Sequence, residues 1–226
     1  MVIPAYNEED RIASTLDDYL EHFPDRTRFL IEMDGCTDDT PEIAGEYCRK
    51  HDNVECIEAP ERLGKGGGIK FALEHVNTRY TCFTDADGSL PPEELEKLVS
   101  RLEDRDIVAG SRYLEDSEFN GDMRPARRIA SYTYARLVSL FLGVDVHDTQ
   151  CGAKAFKTSL LKDALSQMQS DGFGFDAELL YHAEKLNGEV PEVPVKWRHV
   201  PDDSKVKIWK VAPPMLMDLM KTWLKT

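Results

Sequence analysis

The sequence predicts an α/β fold: a mostly parallel sheet flanked by helices. Two observations carry this. Over the first 112 residues, short apolar runs alternate with amphipathic runs at βαβ spacing. The polar motifs also stand at the carboxyl ends of the apolar runs, which is where open parallel sheets bind their ligands. A chain of 226 residues, 41% apolar and 31% charged, is large enough to bury one sizeable core.

The elements follow in order. "MVIPAY" is a first short strand, and Asn7 is placed to cap a helix from about Glu8 to Phe23, with Ile12, Leu16, Leu20 and Phe23 on one face. "RFLIEM" is a second strand and "DGCTDD" a turn. Thr40 then caps another helix that has Pro41 at its first position. "NVECIEA" is a third strand, followed by the glycine-rich "RLGKGGG" and a helix to about His75. "RYTCFT" is a fourth strand ending on Asp85. Ser89, Pro91 and Pro92 open a helix with Leu95, Leu98, Val99 and Leu102 inward, and "DIVAGS" is a fifth strand. Beyond residue 113 the pattern loosens. Residues 114–124 read as a flexible acidic loop, 125–142 as an amphipathic helix and "HDTQCGAKAF" as a strand or loop. Helices are expected from about Thr158, from about Asp176 to Leu186 and from Pro213 onward. "EVPEVPVKW", with its prolines, reads as an edge strand.

Five cysteines (Cys36, Cys48, Cys56, Cys82, Cys151) are scattered, without a CxxC pair, which predicts reduced thiols, a cytoplasmic location and neither zinc nor disulfides. No run of 18 or more apolar residues predicts a spanning helix. Net charge is −14, which argues against general nucleic-acid binding. That charge is uneven, however: Arg124, Arg127, Arg128 and Arg136 cluster without an acid between residues 123 and 143, and a second basic stretch covers residues 196–226.

The most informative stretch is "FTDADGSL" at 83–90. A calcium loop fits poorly, because Leu90 occupies the position that needs glycine for the turn. A phosphatase of the haloacid-dehalogenase type would use Asp85 as nucleophile and Asp87 as acid/base, but its motif closes the first strand of its domain, whereas organised βα structure precedes Asp85 here. In the third reading, a D-x-D clamp, the carboxylates hold Mg²⁺ or Mn²⁺ against a nucleotide diphosphate.

Seven ordered blocks resemble the family 2 glycosyltransferases of the GT-A fold, and within them the dolichyl-phosphate hexosyltransferases. They are "VIPAYNEE", "MDGCTDDT", "RLGKGGGIKFAL", "FTDADGSLPPEEL", "VAGSRY", "DTQCGAKAF" and "FDAELLYHAEKLNGEVPEVPVKW". "SK" at 204–205 matches the segment after them, and the later blocks look closest to the dolichyl-phosphate β-glucosyltransferase branch. The resemblance implies one domain over 1–226. Residues 1–112 would bind a nucleoside-diphosphate sugar of the UDP-glucose or GDP-mannose type. Residues 113–226, with an amphipathic C-terminal helix, would bind dolichyl or polyprenyl phosphate. The implied activity is inverting hexosyl transfer, with a hydroxyl-bearing acceptor or the phosphatase chemistry as the alternatives.

Residue by residue, the resemblance implies that Pro4, Tyr6, Glu8 and Asp34 line the base pocket and that Lys65 meets the diphosphate. Asp87 is the foremost metal ligand. Asp85, with Ala86 between the pair, contacts sugar, ribose or metal, and Ser89 stands at a third metal position. Because Ser89 stands where mannosyl members commonly carry glutamine, and His199 near where they carry arginine, a glucosyl donor is favoured. Arg112, Arg127 and Ser131 match positions implied in binding the lipid phosphate, with Arg124, Arg128 and Lys205 behind them. Asp148 and Gln150 belong to the site by family position. A phosphate acceptor needs cations rather than a base; a hydroxyl acceptor would need one, for which Asp176 or Glu178 is placed.

Two faces suit a membrane surface. One is Ile129, Tyr132, Leu137, Leu140 and Phe141 beside arginines; the other is Trp209, Met215, Leu216, Leu219, Met220 and Trp223 beside lysines. Together they predict a peripheral enzyme on the cytoplasmic face.

Overall fold

The structure, a computed structural model, describes residues 1–23, 25, 27–120, 125–198 and 208–225. Its centre is a seven-stranded sheet. The strands are β1 (Val2–Ala5), β2 (Phe29–Met33), β3 (Val54–Glu58), β4 (Tyr80–Phe83), β5 (Ile107–Ser111), β7 (Lys154–Lys157) and β8 (Glu192–Pro194), in the order β3-β2-β1-β4-β7-β5-β8. β3, β2, β1 and β4 run parallel, with Val2 opposite Leu30 and Phe29 opposite Val54. β7 enters antiparallel between β4 and β5, and β8 pairs parallel with β5.

The helices are α1 (Ile12–His22), α2 (Thr40–Lys50), α3 (Gly64–Glu74), α4 (Pro92–Ser100), α5 (Pro125–Leu142), α6 (Thr158–Ser166), α7 (Phe175–Asn187) and α8 (Ile208–Trp223). They cover both sheet faces, so strands alternate between two cores. Val2, Leu30, Phe83 and Phe156 face one core with Ile69, Phe175 and Leu179. Ile3, Ile31 and Val108 face the other with Ile12, Leu16, Leu95 and Leu98. This double burial is why the strands read as continuous apolar runs rather than as alternating ones.

Several expectations change. α1 begins at Ile12, four residues late, because Asn7 caps nothing. Asn7 adopts φ 55°, and its Oδ1 accepts the Thr37 N–H at 2.7 Å, tying the β1 loop to the β2 loop. The acidic loop contains a strand, β6 (Glu118–Asn120), paired with β9 (Lys196–Arg198) in a small second sheet. Three residues are too few for a period-2 signal. α8 starts five residues before Pro213 and runs through Pro213 and Pro214, both exposed.

The reduced-thiol expectation is overturned: Cys48 and Cys56 form a disulfide with 6.3 Å between their Cα atoms. The chain reverses between α2 and β3, bringing together residues eight apart that no short motif connects. Cysteine usage therefore gives no argument for a reducing compartment.

Candidate active site

The carboxyl ends of β1, β2, β4 and β5 carry Tyr6, Asp34, Asp85 and Arg112, so the sheet gathers the motifs along one edge. Asp34, 5% exposed, accepts the Leu63 N–H (2.5 Å) and the Gly64 N–H (2.9 Å). It thereby pins the start of α3. The Gly66 and Gly67 N–H groups are held by the Asp171 carbonyl at 2.8 and 3.1 Å, so the first turn of α3 is fixed from two sides. The Glu8 N–H donates to Thr40 Oγ1 at 2.7 Å. Pro4 lies on β1 opposite Glu32, and the Arg62 guanidinium stacks 3.5 Å from the centre of the Tyr6 ring.

Lys65 reaches from the first turn of α3 to Asp85 Oδ1 at 2.6 Å. Burial opposes the charge on both. The pair nonetheless holds Asp85 below the ordinary carboxylate range and Lys65 above the ordinary amine range, since each ion stabilises the other. Asp85 is boxed in from below: a Cβ on Gly152 would lie 2.2 Å from its Oδ2. Gly152→Ala is therefore expected to force Asp85 off Lys65 and to cut activity at least tenfold with the fold retained, checked by kinetics alongside a thermal melt. Unchanged kinetics would show that the site does not depend on where Asp85 sits.

Asp87 is arranged differently. Its Oδ1 accepts the Ser89 N–H at 3.0 Å and the Ser89 hydroxyl, and among the described residues no group bonds Oδ2. Ser89 is 3% exposed, so its hydroxyl orients Asp87. Among the described residues no group of three or more His, Cys, Asp or Glu side chains forms a metal cage. A site with two carboxylates suits Mg²⁺ or Mn²⁺, which take one or two protein oxygens and complete their shell from diphosphate and water.

On the other side, Arg112 pairs with Asp148 through Nε (2.7 Å) and Nη2 (2.9 Å), and its backbone N–H donates to the same carboxylate. Burial disfavours the Asp148 anion, but the guanidinium outweighs that and holds its carboxyl low. Glu192 accepts the backbone N–H groups of His147 and Asp148, fixing the loop that carries the pair. Nearby in sequence, Tyr113 Oη, Thr149 Oγ1 and Gln150 Nε2 are buried without hydrogen-bond partners among the described residues. Unmatched polar atoms of this kind are expected where a polar ligand completes the site.

Asp176 and Glu178 diverge. Asp176 accepts a 2.7 Å bond from Lys154, whose ammonium also donates to the Cys151 carbonyl at 2.5 Å; Lys154 is wholly buried. Glu178 turns the other way and accepts the N–H groups of Gln169 and Ser170. Burial opposes its charge, but His182 and those amides pull it down to about 2.

Ser131 is half-buried on α5. The Arg127 side chain, Arg124, His199 and Lys205 lie outside the described residues. Lys154 and Arg62 escaped the sequence reading. For Lys154 a signal existed: a lone cation inside the apolar run "GAKAF", a position that has to be paired when buried. Arg62 carried none beyond its place before the glycines.

The fold is that of a GT-A glycosyltransferase. The Glycosyl transferase family 2 model matches residues 1–165, and the chain belongs to that family. It is similar to Glycosyltransferase AglD of Haloferax volcanii, 32% identical over 99% of this chain and 36% of that protein. It is also similar to the dolichyl-phosphate beta-glucosyltransferases of Drosophila melanogaster (29%; all of this chain, 74% of that one) and Homo sapiens (29%; 92% and 70%). The chain thus spans little more than a third of AglD. Among solved structures, the fold matches glucosyl-3-phosphoglycerate synthase from Mycobacterium tuberculosis with a TM-score of 0.77 at 20% identity, over 98% of this chain and 78% of that one. That crystal contains Mn²⁺, UDP-glucose and phosphoglyceric acid. The named relatives are transferases, and nothing supports the phosphatase alternative.

Proposed function

We propose that the chain transfers a hexose, glucose in the first instance, with inversion from a nucleoside-diphosphate sugar to dolichyl or polyprenyl phosphate. The observation that carries this is the buried Lys154–Asp176 pair. The carboxylate best placed to serve as a base is already spent on a buried cation. An acceptor that arrives as an anion at neutral pH needs no base, whereas a hydroxyl does. The names of the relatives point to the same acceptor and to glucose.

In this reading residues 1–112 form the donor half and 113–226 the acceptor half. Pro4, Tyr6, Glu8 and Asp34 frame the base. Lys65 neutralises Asp85 and meets the diphosphate. Asp87, aimed by Ser89, and Asp85 would hold Mg²⁺ or Mn²⁺, which when bound supplies charge neutralisation on the departing diphosphate. Arg127, Ser131 and Lys205 bind the acceptor phosphate, while Arg112 acts mainly by fixing the Asp148 loop. A lipid phosphate oxygen bonds to the anomeric carbon from the face opposite the diphosphate, and the carbon–oxygen bond to the diphosphate breaks.

The lipid would be met at a membrane surface. Among the described residues no helix is long and apolar enough to cross a membrane. α5 and α8 pack together through Phe141 and Trp223, whose rings lie 5.5 Å apart. Leu137, Phe141, Met215 and Leu219 turn toward the core. Ile129 and Tyr132 remain exposed on α5 and Leu216, Met220 and Trp223 on α8, while Leu140 and Trp209 are 76% and 75% exposed. Exposed apolar side chains gathered on two packed helices favour interfacial binding. The test is a panel of UDP- and GDP-sugars against dolichyl phosphate in detergent, with alcohol and sugar acceptors in parallel. Radiolabel should enter the phosphate lipid, from UDP-glucose above the others. Transfer only to hydroxyl acceptors would defeat the proposal.

A further inference from the structure

Behind α7, on the side away from the Lys154–Asp176 pair, lies a cavity of about 440 Å³. Its walls come from the α6–α7 turn (Gln169, Ser170), the outer face of α7 (Glu178, His182, Lys185), α8 (Asp218, Lys221) and the turn after it (Lys225). Nothing in the transfer chemistry uses it. We propose that it is a second binding site, one that takes a phosphate-monoester type of anion.

The charges argue for this. Both acids on the wall are already satisfied. Glu178 is held by the two turn amides, at 3.1 and 2.8 Å, and Asp218 by Lys221 at 3.2 Å. Three ammonium groups face these two carboxylates. The Lys185 ammonium is 5.1 Å from the Tyr181 ring centre with no carboxylate partner among the described residues, and Lys225 has only the neutral Gln169 amide. The wall is thus short of acceptors and rich in donors, and an oxyanion supplies several acceptors at once.

The setting indicates where such an anion comes from. At roughly 100° per residue, Trp209, Leu216, Met217, Met220, Trp223 and Leu224 share about one third of the circumference of α8. All six are exposed. Lys221 stands about 40° beyond one edge of that stripe and Leu219 about 40° beyond the other, with Lys225 and Met215 farther round, so of the cavity lysines Lys221 is the one near the level where phospholipid headgroups would lie. The anion chemistry rests on the cavity alone; only its lipid source rests on the membrane reading above.

The test uses the full chain and the double variant Lys185→Gln/Lys221→Gln, with Lys210→Gln, an exposed lysine of α8 outside the cavity, as the control for diffuse attraction. Calorimetric titration with inorganic phosphate and with glycerol phosphate forms one arm. Co-sedimentation with phosphatidylcholine vesicles, with and without phosphatidic acid, forms the other. Saturable binding in either arm is expected, weakened at least tenfold in the double variant and little changed by Lys210→Gln. Binding confined to phosphatidic acid vesicles assigns the site to a headgroup, and equal binding of soluble phosphate assigns it to a free anion. Absence of saturable binding in both arms, or equal losses in Lys210→Gln and the double variant, would overturn the site. Transfer to dolichyl phosphate in detergent should be unaffected by the double variant, so failure of the cavity and failure of the transferase reading are read separately.

Discussion

Asp87→Ala is expected to lower turnover by roughly 10²–10³-fold or more while the fold survives. The side chain stands on the loop after β4, and its only bonds among the described residues are to Ser89, so the stability cost is about 1 kcal/mol. Its free Oδ2 is the oxygen best placed to take a metal ion that neutralises a departing diphosphate. Chelation should mimic the substitution in the wild-type chain and add nothing in the variant. Ser89→Ala should fall between, because it loosens Asp87 without removing it. Steady-state kinetics with and without chelator decide the matter: undiminished, chelator-insensitive turnover in Asp87→Ala would remove the metal from the reaction.

Glu32→Gln is expected to stabilise the protein, and to do so only as the pH rises. Glu32 lies wholly buried in the middle of β2, and neither carboxylate oxygen finds a hydrogen-bond partner among the described residues. Gly68 makes room for it, since a Cβ there would sit 2.4 Å from Oε2. Burial first, and then the nearby Asp34, push its carboxyl from 4.5 up to about 7. The sign follows. Below about pH 4.5 the group is protonated folded and unfolded, and it costs nothing by titration. Between about 4.5 and 7 only the unfolded chain gives up the proton, so stability falls with rising pH. Above 7 the full penalty of about 3 kcal/mol is reached. Glutamine keeps the shape without the titration. Melts should coincide near pH 4.5 and separate by roughly 5–10 °C at pH 8. A constant separation across that range would mean that Glu32 does not change charge there.

Much of the fold was legible because the helices carry long, regular apolar stripes and the βα units are short and sequential. Ile12 and Leu16 bury one side of α1 as their spacing requires, while Leu20 and Phe23 are only partly buried and Tyr19 takes the inner place beside them. What escaped was set by contacts distant in sequence. Asn7 reads as a cap until Thr37 claims its side chain, and β6 exists only because β9 lies beside it. The Cys48–Cys56 bond likewise depends on a chain reversal. For the site, motif order located the edge and its acids, but not how they are occupied. Arg112 reads as a free cation until Asp148 is seen to hold it, and Asp176 reads as a base until Lys154 is. Pairing of buried charges is a tertiary property that no local pattern encodes.

The central claim is that a lipid phosphate oxygen receives the sugar. The most direct measurement is the linkage and anomeric configuration of the lipid product formed from UDP-glucose and dolichyl phosphate, read by mass spectrometry and by phosphorus and proton NMR. A β-linked hexosyl monophosphate lipid, with the nucleoside diphosphate released in equal amount, is the predicted result. An α-linked product, a hexose on a hydroxyl group, or free hexose without lipid product would contradict it.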